Sequence, residues 1–407
     1  MRQHVKIDAP KSVTLSAPIR VVRVVTRLNI GGPSIQAIAL SERLPARGFP
    51  TRLVHGALGA GEGDMRYLAS DPAGLQFVPT LQRAIAPLDD VRTVTTLVGV
   101  LREVRPHIVH THMAKAGTLG RIAAALYNRT RGSQPRARVV HTYHGHVLDG
   151  YFSPARTRLF VGIERQLARI TDAIVAISRE IRRELAGEHR IGRPEQYHVI
   201  PLGFELGALA SIDDRARALA RERLGIPANA HVVSTVGRLT AIKDHRLFFE
   251  AARRVAVADP AALFLIAGDG ELRAELERTA ADLGIGGRTR FLGWRRDLDT
   301  IYGATDVFLL TSRNEGTPVA LIESMAAGVP GVSTDVGGVR DVIESDAIGL
   351  VAPAGDSDAL AHAVTSLLAD EARRRTIGAS GRASVLARYG LDRLVSDIDA
   401  LYRSLLA

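Results

Sequence analysis

Short, mostly apolar runs that end in polar or glycine-containing loops recur along this chain, and this repetition constrains the fold most. Examples are Ile19–Val25, Val232–Val236, Leu263–Ala267 and Val307–Leu310. Such runs, separated by longer amphipathic segments, predict buried parallel strands that alternate with helices. Because the pattern restarts in the second half, the sequence predicts an α/β fold in which two doubly wound parallel sheets face each other across a cleft.

The predicted domain boundaries lie where this alternation pauses. We predict a flexible tail over residues 1–18, a first doubly wound domain over 19–201, a second over 202–388, and a last helix over 389–407 that crosses back to the first domain. The boundary near residue 202 rests on Pro201-Leu-Gly203, where a strand ends before the next helical run.

Composition excludes several classes of protein. The chain has 407 residues and no cysteine, so disulfides and thiolate metal sites are impossible. No apolar run approaches the roughly 18 residues of a membrane-spanning helix, and the first residues lack the apolar segment of a signal peptide. We therefore expect a cytoplasmic protein.

Charge is distributed unevenly between the halves. Residues 1–200 hold 29 Lys and Arg against 15 Asp and Glu, whereas residues 201–407 hold 24 against 28. The basic first half suits an anionic partner such as a membrane surface, a lipid phosphate or nucleic acid. Alternatively, its arginines only solvate the outer faces of helices.

The stretch Ser312–Val339 carries the strongest site pattern. Glu315 lies in a turn just before a helix that begins at Pro318 and contains Glu323. The N–H groups of Val319 and Ala320 at the helix start suit a phosphate, whereas the carboxylates suit hydroxyl groups, so the stretch fits a sugar nucleotide. The alternative is that Glu315 stabilises the helix dipole and Glu323 is a solvated helix residue.

Polar loops follow other predicted strands. Arg238 and Lys243 follow Val232–Val236, and two cations there would neutralise a diphosphate. Gly31-Gly32 follows the first strand and forms a backbone cradle suited to phosphate. Two histidine-containing loops also stand where ligands bind in open α/β sheets.

We predict no metal site. The recurring His-x-His pairs lack a third ligand at a suitable spacing. Asp297-x-Asp299 is interpreted as the start of an ordinary helix.

Several strings resemble the motifs of family 4 glycosyltransferases, which are retaining enzymes of the GT-B fold. In chain order they are the Gly31-Gly32 loop, Thr142-Tyr-His144, Gly237-Arg238 with Lys243, Glu315-Gly316-x-Pro318 with Glu323, and Gly337-Gly338. The resemblance covers nearly the whole chain from about Arg20. It implies two Rossmann-like domains of the GT-B type, with the domain over 19–201 on the acceptor side and the domain over 202–388 binding the nucleotide sugar.

The resemblance also implies roles for single residues. Glu315 would lie by the donor sugar, and Glu323 would hold the nucleotide ribose. The implied catalytic residues are Glu315, His144, Arg238 and Lys243. The implied donor-binding residues are Gly31, Gly32, Gly237, Arg238, Lys243, Leu292, Gly293, Glu315, Gly316, Thr317, Pro318, Val319 and Glu323. His112 and Lys115 are predicted on the acceptor side, and no metal or cofactor is expected beyond the nucleotide-sugar co-substrate.

We therefore predict a retaining glycosyltransferase of hexosyl or N-acetylhexosaminyl type. It would move a sugar from a UDP-sugar to a glycan, glycolipid or small-molecule acceptor in cell-envelope or polysaccharide biosynthesis. A sugar-nucleotide epimerase of the same fold and a basic membrane-binding or nucleic-acid-binding protein remain as alternatives. Aromatic residues form only 5% of the chain, which disfavours nucleic acid as a partner.

A predicted amphipathic helix over Arg156–Ile170 is the candidate for peripheral contact with an anionic membrane at its inner face. Its predicted core-facing side chains are Leu159, Phe160, Ile163, Leu167 and Ile170. Arg156, Arg158, Arg165 and Arg169 are predicted mainly off that face. The alternative is a core helix with a charged outer face.

Overall fold

The computed structural model describes residues 18–29, 31–59, 62–70, 74–145 and 154–407. The predicted tail over residues 1–18 lies outside these ranges except for its last residue. The described residues form one parallel sheet of seven strands and another of six. Helices connect the strands of both sheets, which confirms the predicted α/β fold with two doubly wound domains.

The first sheet has the order β3-β2-β1-β4-β5-β6-β7, and every pairing in it is parallel. Its strands are β1 (Val21–Val25), β2 (Thr51–His55), β3 (Leu75–Phe77), β4 (Ile108–His112), β5 (Arg138–Tyr143), β6 (Ala173–Ala176) and β7 (Tyr197–Val199). The helices are α1 (Gly32–Arg43), α2 (Pro87–Val104), α3 (Ala114–Thr130), α4 (Pro154–Ala168) and α5 (Arg179–Arg182). The strand order reverses between β1 and β4, and such a reversal leaves a crevice at the carboxyl ends of the two strands.

The second sheet has the order β10-β9-β8-β11-β12-β13 and is also parallel. Its strands are β8 (His231–Val236), β9 (Ala262–Ala267), β10 (Thr289–Gly293), β11 (Val307–Leu310), β12 (Gly331–Thr334) and β13 (Leu350–Ala352). The helices are α6 (Gly207–Ala210), α7 (Asp214–Arg223), α8 (His245–Ala258), α9 (Arg273–Asp282), α10 (Leu298–Ala304), α11 (Val319–Ala326), α12 (Val339–Val342), α13 (Ser357–Ala369), α14 (Glu371–Tyr389) and α15 (Leu391–Leu406). Here the reversal lies between β8 and β11.

The helix α15 packs on the first sheet although it follows the second domain in the chain. Its buried Leu394, Ile398 and Tyr402 join a core cluster with Val21 and Ile108 of the first sheet. Burial of this strongly amphipathic face stabilises the contact. The C-terminal end of the chain therefore forms part of the first domain.

Two connections between the domains run side by side. The N–H of Phe204 donates to the carbonyl of Tyr389 at 2.8 Å, and the N–H of Leu391 donates to the carbonyl of Phe204 at 3.0 Å. Gly203 is required at this crossing, because a Cβ there would lie 2.5 Å from Cβ of Leu394. The connections therefore form one paired crossing point.

The orientation predicted for the helix over Arg156–Ile170 is wrong in part. Leu159 and Ile163, predicted to face the core, are 62% and 37% exposed. The buried face instead contains Glu164, because both of its carboxylate oxygens accept hydrogen bonds from Nη2 of the fully buried Arg121, at 2.9 and 2.7 Å. This buried ion pair explains why Glu164 faces inward, since removing either partner would leave an uncompensated buried charge.

Within the described ranges, no helix is both long enough and apolar enough to cross a bilayer.

Candidate active site

The loops that follow β8 and β11 meet at the reversal in the second sheet. Lys243, from the loop after β8, places its Nζ 2.5 Å from Oε1 of Glu315, from the loop after β11. The hydroxyl of Ser312 donates to the same oxygen at 2.5 Å. Within the described ranges, the hydrogen bonds of the Glu315 side chain reach only Oε1, so Oε2 can accept a hydrogen bond from a ligand.

Two glycines bring the loop after β12 against this turn. The N–H of Gly338 donates to the carbonyl of Glu315 at 2.8 Å. Gly337 has a φ of 46°, and a Cβ on it would lie 2.2 Å from that carbonyl oxygen. Only glycine accommodates both the conformation and the close approach. The Gly337-Gly338 pair therefore fixes the backbone of Glu315.

The start of α11 differs from the prediction by one residue. The helix begins at Val319, and the N–H of Val319 donates to the carbonyl of Thr317 at 2.9 Å. The N–H of Val319 is therefore already bonded in this conformation, and the phosphate contact stays a prediction. The N–H groups of Ala320 and Leu321 have no acceptor among the described residues, and they retain the positive end of the helix dipole. Pro318 and Gly316 complete the turn.

Glu323 lies on the next turn of α11 and is half-buried. The hydroxyl of Tyr302 donates to its Oε2 at 3.0 Å. Burial raises the pKa of Glu323 to about 7, although the hydrogen bond from Tyr302 acts in the opposite direction. The alternative of an ordinary solvated glutamate therefore does not hold.

The other predicted donor-side residues lie along the same edge of the sheet. The N–H of Gly237 donates to the carbonyl of Ala267 at 2.9 Å, and the N–H of Gly268 donates to the carbonyl of Gly293 at 2.8 Å. These bonds hold together the carboxyl ends of β8, β9 and β10, where Leu292 also lies. Arg238 is exposed and makes no ion pair with any described residue. Its guanidinium is therefore available to an anion beside Lys243.

His144 brings the first domain to this site. It follows β5, and its carbonyl oxygen lies 3.7 Å from the place that a Cβ on Gly316 would occupy. Its Nε2 is 2.9 Å from Nδ1 of His112. Burial, reinforced by the charge of Arg23, lowers the pKa of His144 to about 3. His144 is therefore a neutral group next to the Glu315–Gly316 turn.

The two residues predicted on the acceptor side lie in different surroundings. His112 is fully buried and its Nδ1 lies against the ring of His144, so it does not reach an acceptor itself. Lys115 donates to the carbonyl of Ala84 at 2.8 Å and pairs with Asp90 at 2.5 Å. Its acceptor-side role stays a prediction.

The glycine loop of the first domain lies near the interdomain connection. Gly32 begins α1, and a Cβ on it would lie 3.1 Å from Cδ1 of Leu202. The N–H of Gly31 donates to Sδ of Met65 at 3.4 Å. The structure thus places this loop at the carboxyl edge of the first sheet. Among the described residues, no hydrogen bond joins Gly31 or Gly32 to Glu315 or Lys243.

Asp297 and Asp299, which are predicted not to hold a metal, lie at the start of α10. Asp297 pairs with Arg295, with 2.7 Å between Nε and Oδ1. Over the part of the chain that the structure describes, no group of three or more His, Asp or Glu side chains is arranged to hold a metal ion.

Sequence reasoning missed three side chains that support the site. Ser312 and Tyr302 each bind one of the two glutamates, and Arg23 lies behind the histidines. Arg23 had a visible signal, because it interrupts the otherwise apolar strand Val21–Val25. A charged residue in the middle of a buried strand predicts a buried polar partner.

Comparisons with known proteins agree with this geometry. The model for Glycosyltransferase Family 4 matches residues 30–207, and the model for Glycosyl transferases group 1 matches residues 216–384. An Escherichia coli protein named UDP-Gal:alpha-D-GlcNAc-diphosphoundecaprenol alpha-1,3-galactosyltransferase is 29% identical over 373 residues, which are 90% of this chain and 93% of that protein. A D-inositol 3-phosphate glycosyltransferase from Geodermatophilus obscurus is 31% identical over 75% of this chain and 69% of its own length.

A solved structure has the same architecture. The crystal structure of Anabaena HepE in complex with UDP superposes with a TM-score of 0.79 at 22% identity, and it covers 95% of this chain and 100% of that one. This likeness shows a shared GT-B fold. Since the two family models together span both domains and the Geodermatophilus relative is similar over most of its length, the chain belongs to the family 4 glycosyltransferases of the GT-B fold.

Proposed function

We propose that this chain transfers a hexosyl or N-acetylhexosaminyl group from a UDP-sugar, with retention of its anomeric configuration, to a lipid-linked acceptor in cell-envelope or polysaccharide biosynthesis. The contact between Lys243 and Glu315 carries this proposal. Lys243 is a cation suited to a diphosphate, and Glu315 is a carboxylate suited to sugar hydroxyls. A sugar nucleotide requires both groups in one site.

The leaving diphosphate presents the main electrostatic demand. As the bond between the anomeric carbon and the phosphate oxygen breaks, negative charge grows on that oxygen. Lys243 beside Glu315, the exposed Arg238 and the free N–H groups of Ala320 and Leu321 are the positive groups that we assign to this charge. Groups that are already oriented stabilise the transition state without reorganisation. No metal is needed in this scheme.

The sugar itself is oriented by Glu315. Its Oε2 accepts hydroxyl protons while Oε1 stays on Lys243 and Ser312. The negative carboxylate also favours the positive charge that develops on the sugar ring. His144, with a pKa lowered to about 3, is a poor base at neutral pH, so we assign the acceptor proton to the departing phosphate oxygen.

The identity of the donor rests on two supports. Glu323 faces the ribose, since a carboxylate accepts two neighbouring hydroxyl groups. The named Escherichia coli relative uses UDP-Gal, and the HepE structure holds UDP. Backbone groups at Leu292 and Gly293 are proposed to contact the base. UDP is therefore the nucleotide to test first.

A lipid-linked acceptor is favoured by charge and by the exposed face of α4. The Escherichia coli relative is named for an acceptor on diphosphoundecaprenol. Leu159 and Ile163 are exposed on a helix that also carries the exposed Arg156. Apolar side chains flanked by arginines suit the surface of an anionic membrane, where each basic residue contributes about 1 kcal/mol. We propose a peripheral contact there.

The decisive experiment combines donor, acceptor and product analysis. Purified protein is incubated with UDP-glucose, UDP-galactose or their N-acetylated forms, with and without GlcNAc-diphosphoundecaprenol. We expect UDP release only when the acceptor is present, and an α-linked product in the proton NMR spectrum. Lys243→Ala should lose this activity, whereas Arg254→Ala, which removes an exposed paired cation elsewhere on α8, should retain it.

Three results would each overturn part of the proposal. A β-linked product from an α-linked donor would disprove retention. Conversion of the sugar nucleotide without an acceptor would instead identify a sugar-nucleotide epimerase. Failure of every nucleoside diphosphate to bind in calorimetry would remove the donor site.

A further inference from the structure

A line of buried polar side chains crosses the first sheet beneath α15. Arg23 is fully buried in the centre of β1, opposite His110 of β4 in the register of the sheet. Its Nη1 lies 3.2 Å from Nδ1 of His110 and 3.0 Å from Nε2 of His112. Its Nη2 donates to the hydroxyl of Tyr402 at 3.1 Å. No carboxylate within the described ranges forms an ion pair with Arg23.

The proton positions along this line follow from the donors available. A guanidinium can only donate hydrogen bonds, so Nε2 of His112 must accept from Arg23. A neutral imidazole that accepts at Nε2 carries its proton on Nδ1, and Nδ1 of His112 lies 2.9 Å from Nε2 of His144. His144 therefore accepts at Nε2 and carries its own proton on Nδ1.

A second set of hydrogen bonds runs from Arg23 through Tyr402 to His110. The hydroxyl of Tyr402 accepts from Arg23 and is free to donate to Nδ1 of His110, at 2.7 Å. The Nε2 of His110 then donates to the hydroxyl of Thr142, also at 2.7 Å. Nδ1 of His110 then accepts from two donors, the Tyr402 hydroxyl and Nη1 of Arg23. The proton positions assigned to His112 and His144 do not depend on this branch.

The histidines stay neutral for two physical reasons. Burial lowers the pKa of both His110 and His112 well below the usual range, and the charge of Arg23 lowers both further. A second positive charge beside Arg23 would be unfavourable in this dry interior. The line therefore keeps one fixed cation at its inner end and neutral rings from there to the site.

The outer end of the line is an unsatisfied donor. Nδ1 of His144 is buried and has no hydrogen-bond partner in the structure. A buried donor without a partner destabilises the protein, and a ligand oxygen that accepts from it removes this cost. Since the backbone of His144 adjoins the Glu315–Gly316 turn, a sugar held by Glu315 would lie near this ring.

We propose that Arg23 and His112 are positioning residues that hold His144 in its neutral Nδ1–H form, so that it donates a hydrogen bond to an oxygen of the transferred sugar. The sugar contact rests on the proposed function, whereas the proton position on His144 does not. In this arrangement His144 orients the sugar by donation and does not take up a proton. Arg23 and His112 act through His144 and never touch the substrate.

The proton position can be measured without any substrate. Histidine labelled with nitrogen-15 gives long-range proton–nitrogen NMR signals that distinguish the two neutral forms from the imidazolium. The chain has 13 histidines, and the His144→Gln variant identifies the signals of His144. We expect wild-type His144 to be neutral with its proton on Nδ1 at pH 7. A proton on Nε2, or an imidazolium at pH 7, would overturn the proposal.

Variants test whether Arg23 and His112 set this state. Arg23→Met and, as a second route if that protein fails to fold, His112→Leu should each allow His144 to populate the Nε2–H form. Arg23→Lys keeps a cationic donor and should restore part of the wild-type signal. Tyr402→Phe is the matched control, because it removes a buried hydroxyl from the same cluster and leaves the Arg23–His112–His144 line intact. A wild-type signal in His112→Leu would refute the role of His112.

Kinetics supply the second readout. Arg23→Met and His112→Leu should lower kcat on the order of 10- to 100-fold, the range found when a partner behind an active group is removed. The affinity for UDP alone should be unchanged, since the line ends at the sugar. UDP-glucose or UDP-galactose should shift the Nδ1 signal of His144, and UDP should not.

The two proposals fail in different ways. If the Nδ1 proton is present but no sugar nucleotide affects it, the sugar contact and the proposed donor are refuted, and the proton assignment stands. If sugar transfer is observed while the proton lies on Nε2, the proposed function stands and this inference falls.

Discussion

Replacing Glu323 with glutamine should stabilise the unliganded protein at alkaline pH. Glu323 is held half-buried on α11, where burial raises its pKa from an ordinary 4.5 to about 7. At pH 8 the wild-type protein therefore keeps a carboxylate in a place that disfavours its charge. Glutamine has nearly the same shape and no charge, and it can still accept the hydrogen bond from Tyr302.

The size of the effect follows from the two pKa values. Because the folded pKa lies above the unfolded one, the stabilisation from protonated Glu323 is fully present below pH 4.5 and is lost as the pH rises through 7. The full loss amounts to about 3 kcal/mol. At pH 5 most of this stability is still present. The free energies of unfolding of the wild type and Glu323→Gln should then differ through this group by less than about 1 kcal/mol. In Glu323→Gln, the contribution of residue 323 to the free energy of unfolding should hardly change with pH.

Differential scanning calorimetry of the two proteins between pH 5 and pH 8 measures this. At about 2–4 °C per kcal/mol for a domain of this size, Glu323→Gln should raise the Tm of the second domain by about 6–12 °C at pH 8. The gain should shrink to a few degrees or less at pH 5. The exposed Glu275 on α9 offers a matched control, because Glu275→Gln should leave the Tm unchanged at both pH values.

The reasoning would fail if the gain in Tm were equal at pH 5 and pH 8, or if Glu323→Gln were the less stable protein at pH 8. The stabilised variant should also bind UDP less tightly, by about 1.5–3 kcal/mol, since it loses a charged acceptor for the ribose hydroxyls. A variant that gains stability and keeps full affinity would separate Glu323 from the nucleotide.

The remaining expectations concern catalysis, phosphate binding, metal and membrane. Glu315→Ala should lower kcat far more than donor affinity, and an unchanged kcat would remove Glu315 from the site. Arg238→Ala and Lys243→Ala should each weaken UDP binding in calorimetry by roughly 1.5–3 kcal/mol, and equal binding by the double variant would contradict the diphosphate assignment. Sugar transfer should proceed in EDTA, because Arg238 and Lys243 neutralise the charge of the leaving diphosphate. Loss of transfer with EDTA and its recovery with Mg²⁺ or Mn²⁺ would refute this. The protein should co-sediment with anionic vesicles at 0.1 M salt and less at 1 M, because the Debye length falls from about 10 to about 3 Å. The double variant Leu159→Gln, Ile163→Gln should bind these vesicles more weakly. No sedimentation with anionic vesicles at low salt would exclude the membrane contact.

Features that depend on neighbouring residues could be predicted from the sequence. The apolar run Val307–Leu310 is β11, and the turn that places Glu315 just before α11 follows from the residues after it. These features are encoded within about twenty residues, because strand ends and helix starts are set by local chemistry. The fold class and the turn that carries Glu315 were therefore accessible from the sequence.

Features that depend on distant partners could not be predicted in the same way. The periodicity of α4 did not show that Glu164 faces inward, because its partner Arg121 lies 43 residues away. Similarly, the partners of Arg23 are 87 to 379 residues distant. Which faces of strands and helices meet is decided by tertiary packing, and a buried ion pair or polar line overrides the local hydrophobic pattern.

The position of α15 has a consequence for synthesis of the chain on the ribosome. All seven strands of the first sheet have been made once Val199 is added, but one of its faces still lacks Leu394, Ile398 and Tyr402. At about 5–20 residues per second, the ribosome needs roughly 10–40 s to make the intervening 200 or so residues. During that time the face beneath α15 is open to water and to chaperones. The first domain to be synthesised is thus among the last to be completed.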